Sequence, residues 1–128
     1  MDYMATIPMA AFVYDYDHYA SVSRLSESHE PGYLTIRKAN PDLPIVFVTR
    51  PDGRRTPEES KRRFDIIHQT YENALASGDR NVYFVDGFRF YEGDRPEDCS
   101  VDGIHPNDEG LSRMAEVIGD TLKTALKL

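Results

Sequence analysis

The chain has 128 residues, 40% hydrophobic and 29% charged, a balance that fits one globular domain with a modest core and excludes a disordered or fibrous polymer. Fifteen basic against 22 acidic residues leave a net charge of −7, so phosphates and anionic headgroups are repelled on average, and neither nucleic acid nor a membrane surface is an expected partner. Cys99 is the single cysteine, no apolar run is long enough to span a bilayer, and no basic segment leads into a hydrophobic stretch at the N-terminus, which together point to a cytoplasmic setting.

Met1 to Pro8 contains no strand pattern. Ala10-Ala-Phe-Val-Tyr14 is a continuous apolar run opening into Asp15-Tyr-Asp17-His18, the pattern of a strand buried on both faces with a polar C-terminal end. Ser21 is placed to cap a helix whose face carries Val22, Leu25 and His29; Pro31 is expected to bend or restart it before Tyr33 and Ile36, and Asn40-Pro41-Asp42 closes it. Pro44 to Thr49 reads as a second buried strand with a turn at Arg50-Pro51-Asp52-Gly53. Thr56-Pro57-Glu58-Glu59 predicts a helix start with a capping box, continued by Phe64, Ile67, Tyr71, Ala74 and Leu75 and ended by Gly78. Asn81 to Val85 is a third buried strand. A long polar loop from Phe88 to His105 precedes a last helix expected to be capped by Asn107 or Asp108 and to bury Leu111, Met114, Ala115, Ile118, Leu122 and Ala125 or Leu126.

Strands alternating with helices imply an α/β fold with a parallel sheet, helices on both faces, and ligand chemistry at the C-terminal strand ends. Asp15 to Tyr19, Thr49 to Asp52, Asp86 to Phe88 and the Asp102/His105 loop all fall on that edge. Asp102 stands three residues before His105 on a loop containing Gly103 and Pro106, a spacing that can set a carboxylate against the imidazole, fix its tautomer and stabilise the imidazolium. The bland alternative is a loop histidine beside an acid that caps the last helix. Asp15, Asp17 and His18 lack a further histidine or cysteine at ligand spacing, so no metal is expected. Nor is there a phosphate-cradling glycine loop, so no cofactor is expected. His29 and His68 read as packing residues. Arg50 is a candidate grip for a substrate anion, although pairing with Asp52 or Asp86 is the more frequent fate of such a residue. Lys61-Arg62-Arg63 reads as a solvated face.

Asp102-Gly-Ile-His105-Pro-Asn resembles the Asp-x-x-His block of the GDSL/SGNH hydrolases, serine esterases and acylhydrolases with a flavodoxin-like three-layer α/β/α fold. Val13-Tyr-Asp-Tyr-Asp17-His18, Leu43 to Asp52 and Tyr83-Phe-Val-Asp86-Gly resemble that family's strands in the expected order. The resemblance covers nearly the whole chain but only about the second half of a family member. It implies His105 as the catalytic base, Asp102 as its orienting acid, and a small ester as substrate. It also exposes two departures. The Gly-Asp-Ser element that carries the family's nucleophile is absent, and Ser100, the only hydroxyl close to the pair in sequence, shows no sign of a nucleophile elbow. Where relatives read Asp-His-Asn-Ala, with the asparagine binding the oxyanion, this chain has Asp17-His18-Tyr19-Ala20; His18 and Tyr19 are the substitute oxyanion or substrate-binding candidates, and loss of one such donor costs about 10²–10³ in rate.

Residues 1–128 are thus expected to be a single, partial domain with a short parallel sheet and the N-terminal strands missing. The strand Ala10–Tyr14 is then an open edge, which a fragment of a longer protein, a misplaced start, or a homodimer formed through that edge would each explain; truncation is the preferred reading. The functional expectation is an acyl or acetyl esterase that is truncated or inactive by itself. The rival is a non-catalytic α/β module for binding or self-association.

Overall fold

Ile45-Val-Phe-Val48 is a run of β-branched and aromatic residues with no polar side-chain atom, and it becomes the centre of the fold. In the computed structural model, which describes residues 1–17, 20–51, 56–92, 95–102 and 105–128, all four are fully buried. In chain order the elements are α1 (Asp2–Ala5), β1 (Phe12–Tyr14), α2 (Val22–Ala39), β2 (Ile45–Val48), α3 (Pro57–Ala76), β3 (Val82–Val85), two 3-10 turns at Gly87–Arg89 and Pro96–Asp98, and α4 (Asp108–Leu126). The strands form a parallel sheet in the order β1-β2-β3, with Phe12 opposite Ile45 and Ile45 opposite Val82.

Alternation along the strands separates two cores. Phe12, Tyr14 and Phe47 join Leu25, Tyr33 and Ile36 of α2 and Ile67 and Ala74 of α3 on one face. Val46, Val48 and Val85 meet Met114 of α4, together with Phe90, Tyr91 and Cys99, on the other. This is the three-layer α/β/α arrangement expected from the sequence. At Gly32 a Cβ would run into the Tyr14 hydroxyl, so a glycine is required where α2 crosses β1.

Several local expectations are corrected. The strands are each one or two residues shorter than their apolar runs. β3 is half-buried at Tyr83 and Phe84 rather than buried on both faces, because it lies at the sheet's edge. Pro31 does not break α2, which stays continuous because Leu25 and His29 before it and Tyr33 and Ile36 after it are held by the same core. Ser21 does cap α2, accepting from the Arg24 N–H at 3.2 Å, but Thr56 makes no side-chain cap to α3 and the capping box does not form. Its would-be partner Glu59 binds Arg63 instead, at 3.0 Å. The buried stripe of α3 is Ser60, Arg63, Ile67, Thr70 and Ala74, and Leu75 lies outside it. Leu111 and Ala115 of α4 are likewise exposed. The loop after β3 is not uniformly polar: Phe90, Tyr91 and Cys99 fill the second core.

The N-terminal end of the sheet is closed by structural polar contacts. Arg37 binds Asp79 at 2.8 Å and the carbonyls of Leu43 and Asn81, and Tyr33 donates its hydroxyl proton to Asp79. Burial pushes the Asp79 carboxyl up, but hydrogen bonds from Tyr33, the Asn81 N–H and Arg37 outweigh it and hold the group below its ordinary range.

Candidate functional site

The loop leading into α4 is built as a short antiparallel turn. The Asn107 N–H donates to the Cys99 carbonyl at 3.0 Å, Ser100 bridges Pro106, and the Val101 N–H donates to the His105 carbonyl at 2.9 Å. Cys99 anchors one side by packing with Val48 and Val85, the last residues of β2 and β3. Asn107 anchors the other, because its carboxamide oxygen caps α4 at the Gly110 N–H (3.0 Å) while its NH₂ donates to the Asp98 carbonyl at 2.8 Å. At Gly110 a Cβ would strike the Cys99 carbonyl oxygen and approach Pro106 Cβ and the Tyr91 hydroxyl to 2.9 Å, so the first turn of α4 lies directly against the loop.

This frame brings Asp102 and His105 together. Asp102 Oδ1 accepts the His105 backbone N–H at 2.7 Å, and Oδ2 lies 2.7 Å from the ring nitrogen Nδ1. Because a carboxylate accepts, Nδ1 carries the proton in the neutral ring and Nε2 is the basic nitrogen. The two side chains remain 34% and 66% exposed, so proton exchange with a bound molecule requires no unfolding of the loop.

A second acidic site lies at the ends of β1 and β2. Asp17 is 1% exposed; its Oδ2 accepts the Arg50 backbone N–H at 2.8 Å, and its Oδ1 lies 3.3 Å from Arg63 Nη1 and 3.6 Å from Arg50 Nε. The same Arg63 Nη1 donates to the carbonyls of Asp17 and Ala20 at 2.7 and 2.6 Å. The ends of β2 and β3 are joined too, where the Gly87 N–H donates to Thr49 Oγ1 at 2.7 Å. A Cβ on Gly87 would collide with the Thr49 carbonyl. The neighbouring Asp15 keeps Oδ1 buried without a hydrogen-bond partner among the described residues, and burial, then the charge of Asp17, raises its pKa.

Of the residues singled out from the sequence, Asp102 and His105 meet as expected, and Asn107 is the cap. Arg50 is paired with Asp17, while Asp86 accepts the Phe88 N–H to start a 3-10 turn and Asp52 lies outside the described residues. With a side chain only 6% exposed, Arg50 is occupied as a structural ion pair. His18 and Tyr19 also lie outside the described residues. Arg63 is the residue the sequence reading missed. Its neighbours Lys61 and Arg62 suggest a solvated basic run, yet Arg63 is 5% exposed, and its spacing to Ile67, Thr70 and Ala74 places it on the buried stripe. That phase, with Glu59 one turn before, was the available signal.

His29 is a packing residue, as its apolar neighbours suggested. It is fully buried, stacked on Tyr14 with ring centroids 4.4 Å apart, and its Nδ1 lies 2.8 Å from Thr70 Oγ1. His68 sits half-exposed on α3, stacked on Phe64.

The model of the GDSL-like lipase/acylhydrolase family matches residues 1–123. Among solved structures, a Bacteroides ovatus protein described as a GDSL-like lipase is similar at 26% identity and a TM-score of 0.83, over 98% of this chain and 39% of that one. Salicylyl-acyltransferase SsfX3 from a tetracycline biosynthetic pathway shares the fold at 17% identity and a TM-score of 0.73, over 96% of this chain and 40% of its own. The chain therefore spans about two-fifths of the length of these two structures. No curated protein matches it.

Proposed function

The chain belongs to the GDSL-like lipase/acylhydrolase family, and from that membership together with the Asp102–His105 geometry we propose that it supplies the acid–base arm of an ester hydrolase or acyltransferase. The observation that carries the reading is that both oxygens of one carboxylate bind one histidine, through its backbone N–H and through Nδ1. His105 Nε2 takes the proton of an attacking hydroxyl as that oxygen bonds to the ester carbonyl carbon; the positive ring is stabilised by Asp102. As the tetrahedral intermediate collapses, Nε2 returns the proton to the departing alcohol oxygen. Water, or a second alcohol in a transferase, then reverses the sequence on the acyl intermediate. No Gly-Asp-Ser occurs in these 128 residues, so by themselves they form a poor esterase.

Long-range proton–nitrogen NMR of the histidine rings tests the reading. Neutral His105 is expected as the Nδ1–H form, and Asp102→Asn is expected to lose that preference. A wild-type ring predominantly in the Nε2–H form overturns the assignment. Robust fluorophosphonate labelling of a serine, with p-nitrophenyl acetate turnover, would instead overturn the statement that this chain carries no nucleophile.

One observation favours a second reading, self-association: β1 pairs only with β2 among the described residues, so its outer edge offers backbone groups to another strand. A tight dimer in sedimentation, with β1 amides protected from exchange, supports that reading; a monomer with rapidly exchanging β1 amides removes it.

A further inference from the structure

Beside the Asp102–His105 turn lies an apolar surface that the fold itself does not use. Val101 is 75% exposed and Leu111 53% exposed, among the largest hydrophobic exposures in the chain, while Met114 and Ala125 are the residues that seat α4. The two are not scattered. With Pro106 they line one shallow depression, completed by Asn107, Asp108 and Glu109. The Val101 N–H is bonded to the His105 carbonyl and Ser100 bridges Pro106, so the depression and the histidine belong to one hydrogen-bonded turn.

Its position relative to His105 suggests which part of a substrate it meets. A histidine acting as general acid gives its proton to the leaving alcohol oxygen, so the group on that oxygen must pass beside the ring. Its charge narrows the class further. Asp108 and Glu109 line the patch, and Arg113 of the same helix already lies 3.3 Å from Glu109 and 3.7 Å from Glu116. A carboxylated or phosphorylated alcohol would be repelled by this rim.

We propose that the depression formed by Val101, Pro106 and Leu111 is the subsite for the alcohol side of the ester, and that it takes uncharged apolar alcohols and rejects anionic ones. The assignment rests on His105 as the acid–base group. It is tested without turnover, so its failure is separable from a failure of the histidine tautomer.

The experiment is an amide NMR titration of the ¹⁵N-labelled chain with benzyl alcohol and, in parallel, with 4-(hydroxymethyl)benzoate, a ring of the same shape carrying a carboxylate. Benzyl alcohol is expected to shift the amides of Val101 and residues 107–111 saturably. Val101→Ser and Leu111→Ser are each expected to weaken it about five-fold through lost apolar burial, and the anion is expected to bind about five-fold more weakly than the alcohol. Leu75→Ser, at an exposed leucine of α3, should leave the titration unchanged. The proposal is overturned by no saturable shift, by shifts that cluster around Leu34 or Leu75, by unchanged binding to the two serine variants, or by equal binding of the anion.

Discussion

Two histidines in this chain show how surroundings divide structural from chemical work. His29 is wholly buried, with Tyr14 stacked on its face and Thr70 at Nδ1. Thr70 donates its own proton to the Ile66 carbonyl at 3.3 Å, so it accepts from Nδ1–H and leaves Nε2 as an unprotonated, unpartnered nitrogen among the described residues. Burial lowers the His29 pKa to about 4, and the ring stays neutral. His105 has the opposite setting, exposed and 2.7 Å from a carboxylate oxygen. The two aspartates divide in the same way. Asp17 is enclosed between arginines at the strand ends, whereas Asp102 stands on a surface turn and binds a group able to exchange its proton. A charge wholly enclosed by fixed partners holds the fold; a charge beside an accessible titratable group is available for reaction.

The sharpest way to break this division is Asp17→Asn. The substitution keeps the shape but leaves two buried guanidinium groups without their shared anion, and a loss of about 3–5 kcal/mol in urea unfolding is expected. A loss no larger than that of the surface variant Asp65→Asn would remove Asp17 from its structural role. Next comes the buried histidine. The folded pKa of about 4 lies below the ordinary 6.5, so between those values the unfolded chain binds the proton and the folded chain does not. Stability from this group is complete above pH 6.5 and is lost as pH falls to about 4, by on the order of 3 kcal/mol. His29→Gln should remove that portion of the acid dependence; parallel wild-type and variant curves over this window would contradict the burial argument. The smallest effect is expected at the reactive pair, where Asp102→Asn should change unfolding free energy by no more than about 0.5 kcal/mol while altering the His105 tautomer. A loss comparable to that of Asp17→Asn would show Asp102 to be structural as well.

Strand positions and helix faces were legible because they depend on periodicity and local chemistry. Ile45–Val48 announces a buried strand, Ser21 a cap, and Gly78 a left-handed helix end, realised at φ +94°. The Asp-x-x-His spacing was legible for the same reason, since three residues of loop suffice to fold the carboxylate back onto the ring. The parts that failed were those in which a tertiary neighbour competed. The Thr56 hydroxyl lies 3.5 Å from Arg50 Nη1 and does not cap α3, Glu59 binds Arg63 and does not complete the capping box, and Arg50 meets Asp17, 33 residues away.

The sequence alone therefore determined the alternation of strands and helices, the family, and the pairing of Asp102 with His105, because each resides in short-range patterns of side chains. Only the tertiary structure decided that Arg50 meets Asp17, that Gly87 and Gly110 sit where a Cβ would collide, and that Val101 and Leu111 share a depression with Pro106. Those outcomes depend on which surfaces the folded chain presses together, and no local pattern encodes the distance between segments that meet only through packing.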